Sequence, residues 1–237
     1  MFKKFLLAAC VISLGLSSAY ADEVLSAREQ SIIMMGAHTA NGNLPALKND
    51  FILALDAGMS INEINEVLVQ MYAYTGFPCS LNAINSFMSL IDARKAQGIS
   101  DPQGKESRAI PDNLDKDEFG TRMRAQLRGV KEIPAPSGYQ VFAPVIDTYL
   151  KEHLFCDIFY RDILTPAERE LATIGALAAT PQAQGQLRFH IGGALNTGNS
   201  SDKLHEYISV IKNHVGENEA KIAANILDEV LKSKEQN

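Results

Sequence analysis

The sequence of 237 residues lacks several features that would point to whole classes of protein. It has 22 Lys and Arg against 28 Asp and Glu, a formal net charge of −6, and no run rich in cations. This balance argues against nucleic acid and anionic membranes as partners. No segment alternates polar and apolar residues between hairpin turns, so no sheet is expected. Beyond the N-terminal segment, no apolar run approaches the length that spans a bilayer.

That N-terminal segment has the pattern of a secretory signal peptide. Lys3-Lys4 precedes an apolar stretch over 5–16, and Ala19-Tyr20-Ala21 provides a small-x-small cleavage site. The sequence therefore predicts a periplasmic or secreted protein, cleaved after Ala21. Cleavage would remove two lysines and no acids, which leaves a net charge of −8. The alternative is a lipoprotein modified at Cys10, because the preceding residues resemble a lipoprotein cleavage box.

Cysteine is scarce as well. Export would leave only Cys79 and Cys156, in a compartment that permits disulfides. Since an exposed unpaired thiol is a liability there, the sequence predicts a disulfide between Cys79 and Cys156. Two unrelated buried thiols are the alternative interpretation.

Helix signals recur along the whole chain. The capping box, in which a hydroxyl and a carboxylate satisfy first-turn amides, fits at Ser26–Glu29, Ser60–Glu63 and Thr165–Glu168. Apolar residues at positions 64, 67, 68 and 71 have the spacing of one helix face. The sequence predicts an all-α protein.

The C-terminal part of the chain repeats the N-terminal part. Arg28-Glu29 matches Arg169-Glu170 at an offset of 141, and residues 54–58 match 194–198 at an offset of 140. A shared register with one gap indicates a duplication. The predicted fold is two tandem pseudo-symmetric helical units, at 22–98 and 141–237.

A different kind of sequence separates the two copies. Residues 99–140 are rich in Asp, Lys, Pro and Gly, which predicts a polar linker with one helix near 116–127. Helical spacing returns over 141–159, and this segment is expected to pack across the seam between the copies. Neither copy can bury a large core alone, so mutual burial or burial in an oligomer is expected.

Several stretches carry a family resemblance. In the second copy they are 164–179 (LTPAERELATIGALAA), 186–190 (QLRFH) and 194–198 (ALNTG), and in the first they are 62–74 (NEINEVLVQMYAY) and 76–78 (GFP). These stretches resemble the carboxymuconolactone decarboxylase family, over roughly residues 25–98 and 141–231. The resemblance implies the all-α fold of the alkylhydroperoxidase D-like superfamily and ring-like homo-oligomers.

The resemblance also suggests a site. The family contains ring-acid decarboxylases and thiol peroxidases of the alkylhydroperoxidase D type, in which Cys-x-x-Cys-x-x-x-His follows a helix carrying a Glu. It places the histidine at His190, the glutamate at Glu170, and the two cysteines at Ala183 and Gln186. Without those thiols, thiol–disulfide chemistry cannot run at this site. The first copy has Asp50 at the histidine position.

An acid and an imidazole on adjacent helices remain, and such a pair can exchange protons near neutral pH. Arg169, Arg188 and Arg28 are candidates to hold a substrate carboxylate through bidentate pairing. A core role is the alternative for His190, and Glu29 is explained by its capping box. The other histidines lack the spacing of metal ligands, so no metal is expected.

The predicted function is a cofactor-free lyase or isomerase that acts on a small carboxylated lactone or related acid by general acid–base catalysis. A peroxidase-like antioxidant protein of the same superfamily is one alternative. A non-catalytic periplasmic ligand-binding protein is the other.

Overall fold

The computed structural model describes residues 24–236, and every regular element in that range is helical. The elements are α1 (Ala27–Asn41), α2 (Leu44–Asp56), α3 (Ile61–Ala96), α4 (Lys116–Arg128), α5 (Tyr139–Phe142), α6 (Pro144–Thr148), a π-helix (Tyr149–Ile158), α7 (Pro166–Ala178), α8 (Gln184–Asn196), α9 (Ser201–His214) and α10 (Glu217–Glu235). The all-α prediction is confirmed.

The three predicted capping boxes are formed. The Ser60 backbone N–H donates to Glu63 Oε2 over 2.7 Å, and the Glu63 N–H donates back to Ser60 Oγ. The same reciprocal bonds start α1 at Ser26 and α7 at Thr165. Local side chains therefore fix where these helices begin.

The helix order repeats, as a duplication requires. Helices α1, α2 and the two halves of α3 correspond in order to α7, α8, α9 and α10. Ser60 and Ser200 cap the matching helices. Within α3 the chain kinks at Gly76 (φ 79°, ψ 160°), a left-handed conformation that favours glycine. The second copy is interrupted at the matching Gly216, before α10.

The copies meet along α1 and α7, which approach each other backbone to backbone. A Cβ atom on Gly36 would lie 2.2 Å from the Ala172 carbonyl oxygen, and one on Gly175 would lie 2.3 Å from that of Ile33. Buried apolar residues of both copies form one continuous core around this contact. The mutual burial expected from the sequence is therefore present.

A smaller core lies beside it, between α4 and the π-helix, and consists of Leu127, Leu154, Phe155, Ile158 and Phe159. The helix predicted in the linker is confirmed as α4. The helical structure expected over 141–159 is present, but it is divided among α5, α6 and the π-helix. Pro144 starts a new helix at α6, and the segment packs chiefly on α4.

The disulfide expected between Cys79 and Cys156 is not formed, and both residues are free thiols. Cys79 is half-buried on α3, whereas Cys156 is buried on the π-helix. Burial raises the pKa of the Cys156 thiol, and the nearby charge of Lys116 of α4 offsets part of this rise. The π-helix packs chiefly on α4, and within residues 24–236 neither cysteine is bonded to another sulfur.

The predicted signal peptide, with its cleavage site after Ala21 and the alternative site at Cys10, lies outside the described residues. Within residues 24–236, no helix combines the length and apolar character needed to cross a bilayer.

Candidate functional site

The two residues singled out in the second copy meet in the helical hairpin of α7 and α8. His190 Nδ1 lies 2.8 Å from Glu170 Oε2. The side chains are nearly excluded from solvent, with 4% of His190 and none of Glu170 exposed. The predicted proximity of the pair is confirmed.

The contact with a carboxylate selects the tautomer of the neutral imidazole. Glu170 Oε2 accepts from Nδ1–H, so in the neutral ring Nε2 carries the lone pair. No described residue hydrogen-bonds Nε2. A Cβ atom on Gly193 would lie 2.7 Å from Glu170 Oε2, so the absence of a side chain at this position of α8 leaves space for the carboxylate.

Aromatic rings hold the imidazole on two sides. The rings of Tyr74 and Phe189 lie 5.3 Å and 5.0 Å from the His190 ring, both edge to face. Burial, and then the charge of Glu170, raises the pKa of Tyr74 far above its usual value, so the phenol stays protonated. Glu170 Oε1 is buried and has no hydrogen-bond partner among the described residues. The pair therefore sits in a largely apolar setting.

His190 lines a cavity of about 500 Å³ between α3, α4, α8 and the α6–π-helix segment. This volume suits a small organic ligand. The lining consists of Ala73, Tyr74, Arg124, Arg128, Tyr139, Ile146, Leu150, Leu154, Phe155, Gly185, Gln186, Phe189 and His190.

The π-helix supplies three of the apolar walls, Leu150, Leu154 and Phe155. A π-helix widens the turn and re-aims the side chains of its segment, and such distortions are frequent at functional sites. No pattern in the sequence predicts this π-helix, because apolar spacing at this length fits an ordinary helix equally well.

Arg169 does not reach the cavity, which corrects its predicted role in substrate binding. The side chain is fully buried, and its Nη2 donates to Glu66 Oε1 over 2.6 Å while Nη1 donates to Gln70 over 2.9 Å. Glu66 and Gln70 lie on α3, so Arg169 ties the two copies together. Its burial follows from its place on α7, the helix at the centre of the seam.

The other two predicted arginines also lie elsewhere. Arg188 is on the exposed side of α8 and pairs with Glu229 of α10. Arg28 pairs with Glu168 at 2.7 Å and with Glu63 at 2.9 Å, linking the N-termini of three helices. Neither lines the cavity.

The arginines that do line the cavity, Arg124 and Arg128, come from α4, in the segment interpreted as a linker. Arg124 is buried and donates to Asp147 over 2.8 Å. Arg128 is exposed and lies over the Phe189 ring, 5.9 Å from its centroid. Their spacing of one helical turn was the only signal in the sequence.

The first copy holds a different pair at the corresponding place. Asp50 Oδ2 lies 2.5 Å from His38 Nδ1, and His38 Nε2 donates to the His214 carbonyl over 3.0 Å. Burial lowers the pKa of His38, but Asp50 and the His214 carbonyl outweigh it and raise the pKa overall. Both ring nitrogens face acceptors, so this histidine is a closed structural ion pair with no nitrogen left for a substrate.

The positions at which a thiol peroxidase would carry cysteine are Ala183, at the start of α8, and Gln186, in the cavity wall. Cys79 and Cys156 do not line the cavity. Within the described range, no three His, Cys, Asp or Glu side chains are grouped to hold a metal ion.

Comparison with known proteins bears on both copies. The model of the carboxymuconolactone decarboxylase family matches residues 8–87 and 146–229. No curated protein matches the chain. The second match contains His190 and Glu170, and the two matches together span most of the sequence.

Proposed function

We propose, from the premise that the chain belongs to the carboxymuconolactone decarboxylase family, that it is a lyase or isomerase in which His190 transfers a proton to or from a bound acid. The observation that carries the proposal is the contact of Glu170 with Nδ1 of a histidine that lines the cavity, because it leaves Nε2 without a hydrogen bond to any described residue. The first copy offers no such nitrogen, so the proposed site lies in the second copy.

The proposed chemistry needs one proton carrier. In an isomerisation, Nε2 takes a proton from a carbon beside a carbonyl, the C–H electrons form an enolate, and the imidazolium returns the proton to another carbon of that system. In a decarboxylation, the C–C bond breaks, CO₂ leaves, and the carbanion takes its proton from the imidazolium. Glu170 stabilises the imidazolium in both cases, more strongly because the surroundings exclude water.

Peroxidase chemistry is the less favoured candidate within the family. Turnover of a hydroperoxide by a thiol donor needs a thiolate that attacks the peroxide. Ala183 and Gln186 stand where the resemblance places those thiols. A hydroperoxide assay with a dithiol is therefore the direct control for the reaction class.

The first experiment measures turnover of a panel of lactone and unsaturated carboxylic acids by the wild-type protein and by His190→Ala. If Nε2 carries the proton, the variant should lose at least about a hundredfold in kcat/KM. His205→Ala, on the exposed side of α9, is the matched control and should behave as the wild type. A His190→Ala variant that keeps full activity would refute the proposal.

Ligand binding without turnover of any panel member is the result expected of a binding protein. Thermal shift on the same panel, in parallel with the assays, separates that outcome from catalysis.

A further inference from the structure

We infer that the cavity selects amphipathic monocarboxylates, with the carboxylate at Arg128 and a sizeable apolar body against the π-helix. The inference rests on the proposed function, because it names the ligand class of the same site. It departs from the small, polar carboxylated lactone expected from the family resemblance.

Charge is the first reason. Arg124 and Arg128 line the cavity, and no Asp or Glu of residues 24–236 does. Asp147 already offsets the charge of Arg124 over 2.8 Å. Arg128 forms no ion pair with a carboxylate of the described chain, and it is exposed. One uncompensated cation at the mouth suits one carboxylate, which a guanidinium can hold through two parallel hydrogen bonds.

The apolar side of the cavity is the second reason, since the remaining lining includes Tyr74, Tyr139 and Gln186 but no third Arg or Lys of residues 24–236. Leu150, Leu154 and Phe155 of the π-helix are joined by Ile146 of α6 and by Phe189 of α8. These side chains offer no hydrogen bond to a second charged group. Burying an unpaired carboxylate among them is strongly unfavourable, because nothing there replaces the hydrogen bonds that the charged group makes with water. This side of the cavity therefore disfavours a second carboxylate and favours hydrocarbon.

Reach is the third reason. The Phe189 ring centroid lies 5.9 Å from the Arg128 guanidinium carbon and 5.0 Å from the centre of the His190 ring. The distance between the Arg128 guanidinium carbon and the centre of the His190 ring is therefore at most the sum of these two distances. A single ligand held at Arg128 can therefore also reach the His190 ring, which lines the same cavity.

The test measures binding and does not need turnover. Isothermal titration calorimetry of the full protein compares octanoate, 1-octanol and suberate, which share a chain length and differ in charge. The same titrations on His190→Ala remove any turnover. Octanoate should bind at least about tenfold more tightly than either of the others, the gain expected from one charge-assisted pair.

Three variants assign the contacts. Arg128→Gln should weaken octanoate about tenfold and leave 1-octanol unchanged, because only the charge contact is lost. Ile146→Asn, at a half-exposed wall position, should weaken both ligands. Arg188→Gln, on the same helix as His190 but outside the cavity, should change neither.

Suberate binding as tight as octanoate, or Arg128→Gln binding octanoate as the wild type does, would overturn the inference. These outcomes are independent of the proposed function. Octanoate binding with no turnover of any acid supports the ligand class and counts against the lyase. Turnover of a polar acid that is lost in His190→Ala, together with no octanoate binding, supports the lyase and counts against the proposed ligand class.

Discussion

At the scale of single residues, chemically similar side chains take different roles according to burial. Of five arginines considered for carboxylate binding, only Arg124 and Arg128 line the cavity, and Arg128 alone has its charge uncompensated by a described carboxylate. Arg169 comes from the family-like stretch of the sequence, yet it serves the seam between the copies. A guanidinium can bind a substrate carboxylate only where its N–H donors are not already hydrogen-bonded within the protein.

Replacing Arg169 should affect stability before it affects any substrate. Arg169→Ala leaves Glu66 with only the half-exposed Arg161 as its partner and opens a hole in the seam, so a loss of about 3 to 5 kcal/mol is expected. The measurement is the free energy of unfolding in urea. Arg188→Ala, whose ion pair is exposed, should stay within about 1 kcal/mol of the wild type. A stable Arg169→Ala protein with only a raised KM would restore the binding role.

The ion pair of His38 gives the fold a dependence on pH. Because its pKa is raised in the folded protein, the pair stabilises fully below the unfolded-state value of about 6.5 and loses this contribution as pH rises through the folded-state pKa. The free energy of unfolding of the wild type should fall over that interval. His38→Gln should be less stable at low pH and lack this fall. Equal pH profiles for the two proteins would contradict the assignment.

At the scale of the elements, the close approach of α1 and α7 positions the site. The seam fixes α7, α7 carries Glu170, and the hairpin with α8 then sets His190 against it. The side of the cavity that carries Arg124 and Arg128 depends on α4, which packs on α8 near Leu127. The contact of α1 with α7 requires the two helices to touch without intervening side chains.

A single methyl group should therefore disrupt the seam. Gly36→Ala and Gly175→Ala each push a Cβ atom against a carbonyl oxygen at 2.2–2.3 Å, and backbone cannot rotate away as a side chain can. Each should destabilise the protein by about 1 to 3 kcal/mol or more. Gly192→Ala, with nothing within 4 Å in α8, is the control and should be neutral or stabilising by about 0.5–1 kcal/mol. Thermal denaturation of the three variants compares them directly.

At the scale of the whole molecule, one apolar surface stands out beside the cavity mouth. It is formed by α5, α6 and the start of the π-helix, where Val141 is 65%, Phe142 92% and Tyr149 61% exposed. Contiguous apolar surface of this kind marks interaction sites in soluble proteins. We propose that it is covered in a homo-oligomer, which would also narrow the mouth of the cavity.

Light scattering coupled to size-exclusion chromatography should give a molecular mass that is a multiple of the mass of a single chain. Phe142→Glu should shift the protein to a smaller species, because a charge cannot be buried in an apolar contact without a partner. Leu53→Glu, at an exposed apolar position of α2 away from this surface, should leave the mass unchanged. A monomeric wild type would exclude the assembly.

The sequence by itself determined the all-α class and the duplication, which rest on local signals such as capping boxes, glycine breaks and a repeated register. The resemblance of residues 164–179 and 186–190 to a known family implied the pairing of Glu170 with His190. Only the tertiary structure decided which arginines face the cavity, that residues 149–158 form a π-helix, and that Cys79 and Cys156 stay unpaired. These outcomes depend on how α4 docks on α8, a contact between segments far apart in the chain, which no local pattern specifies.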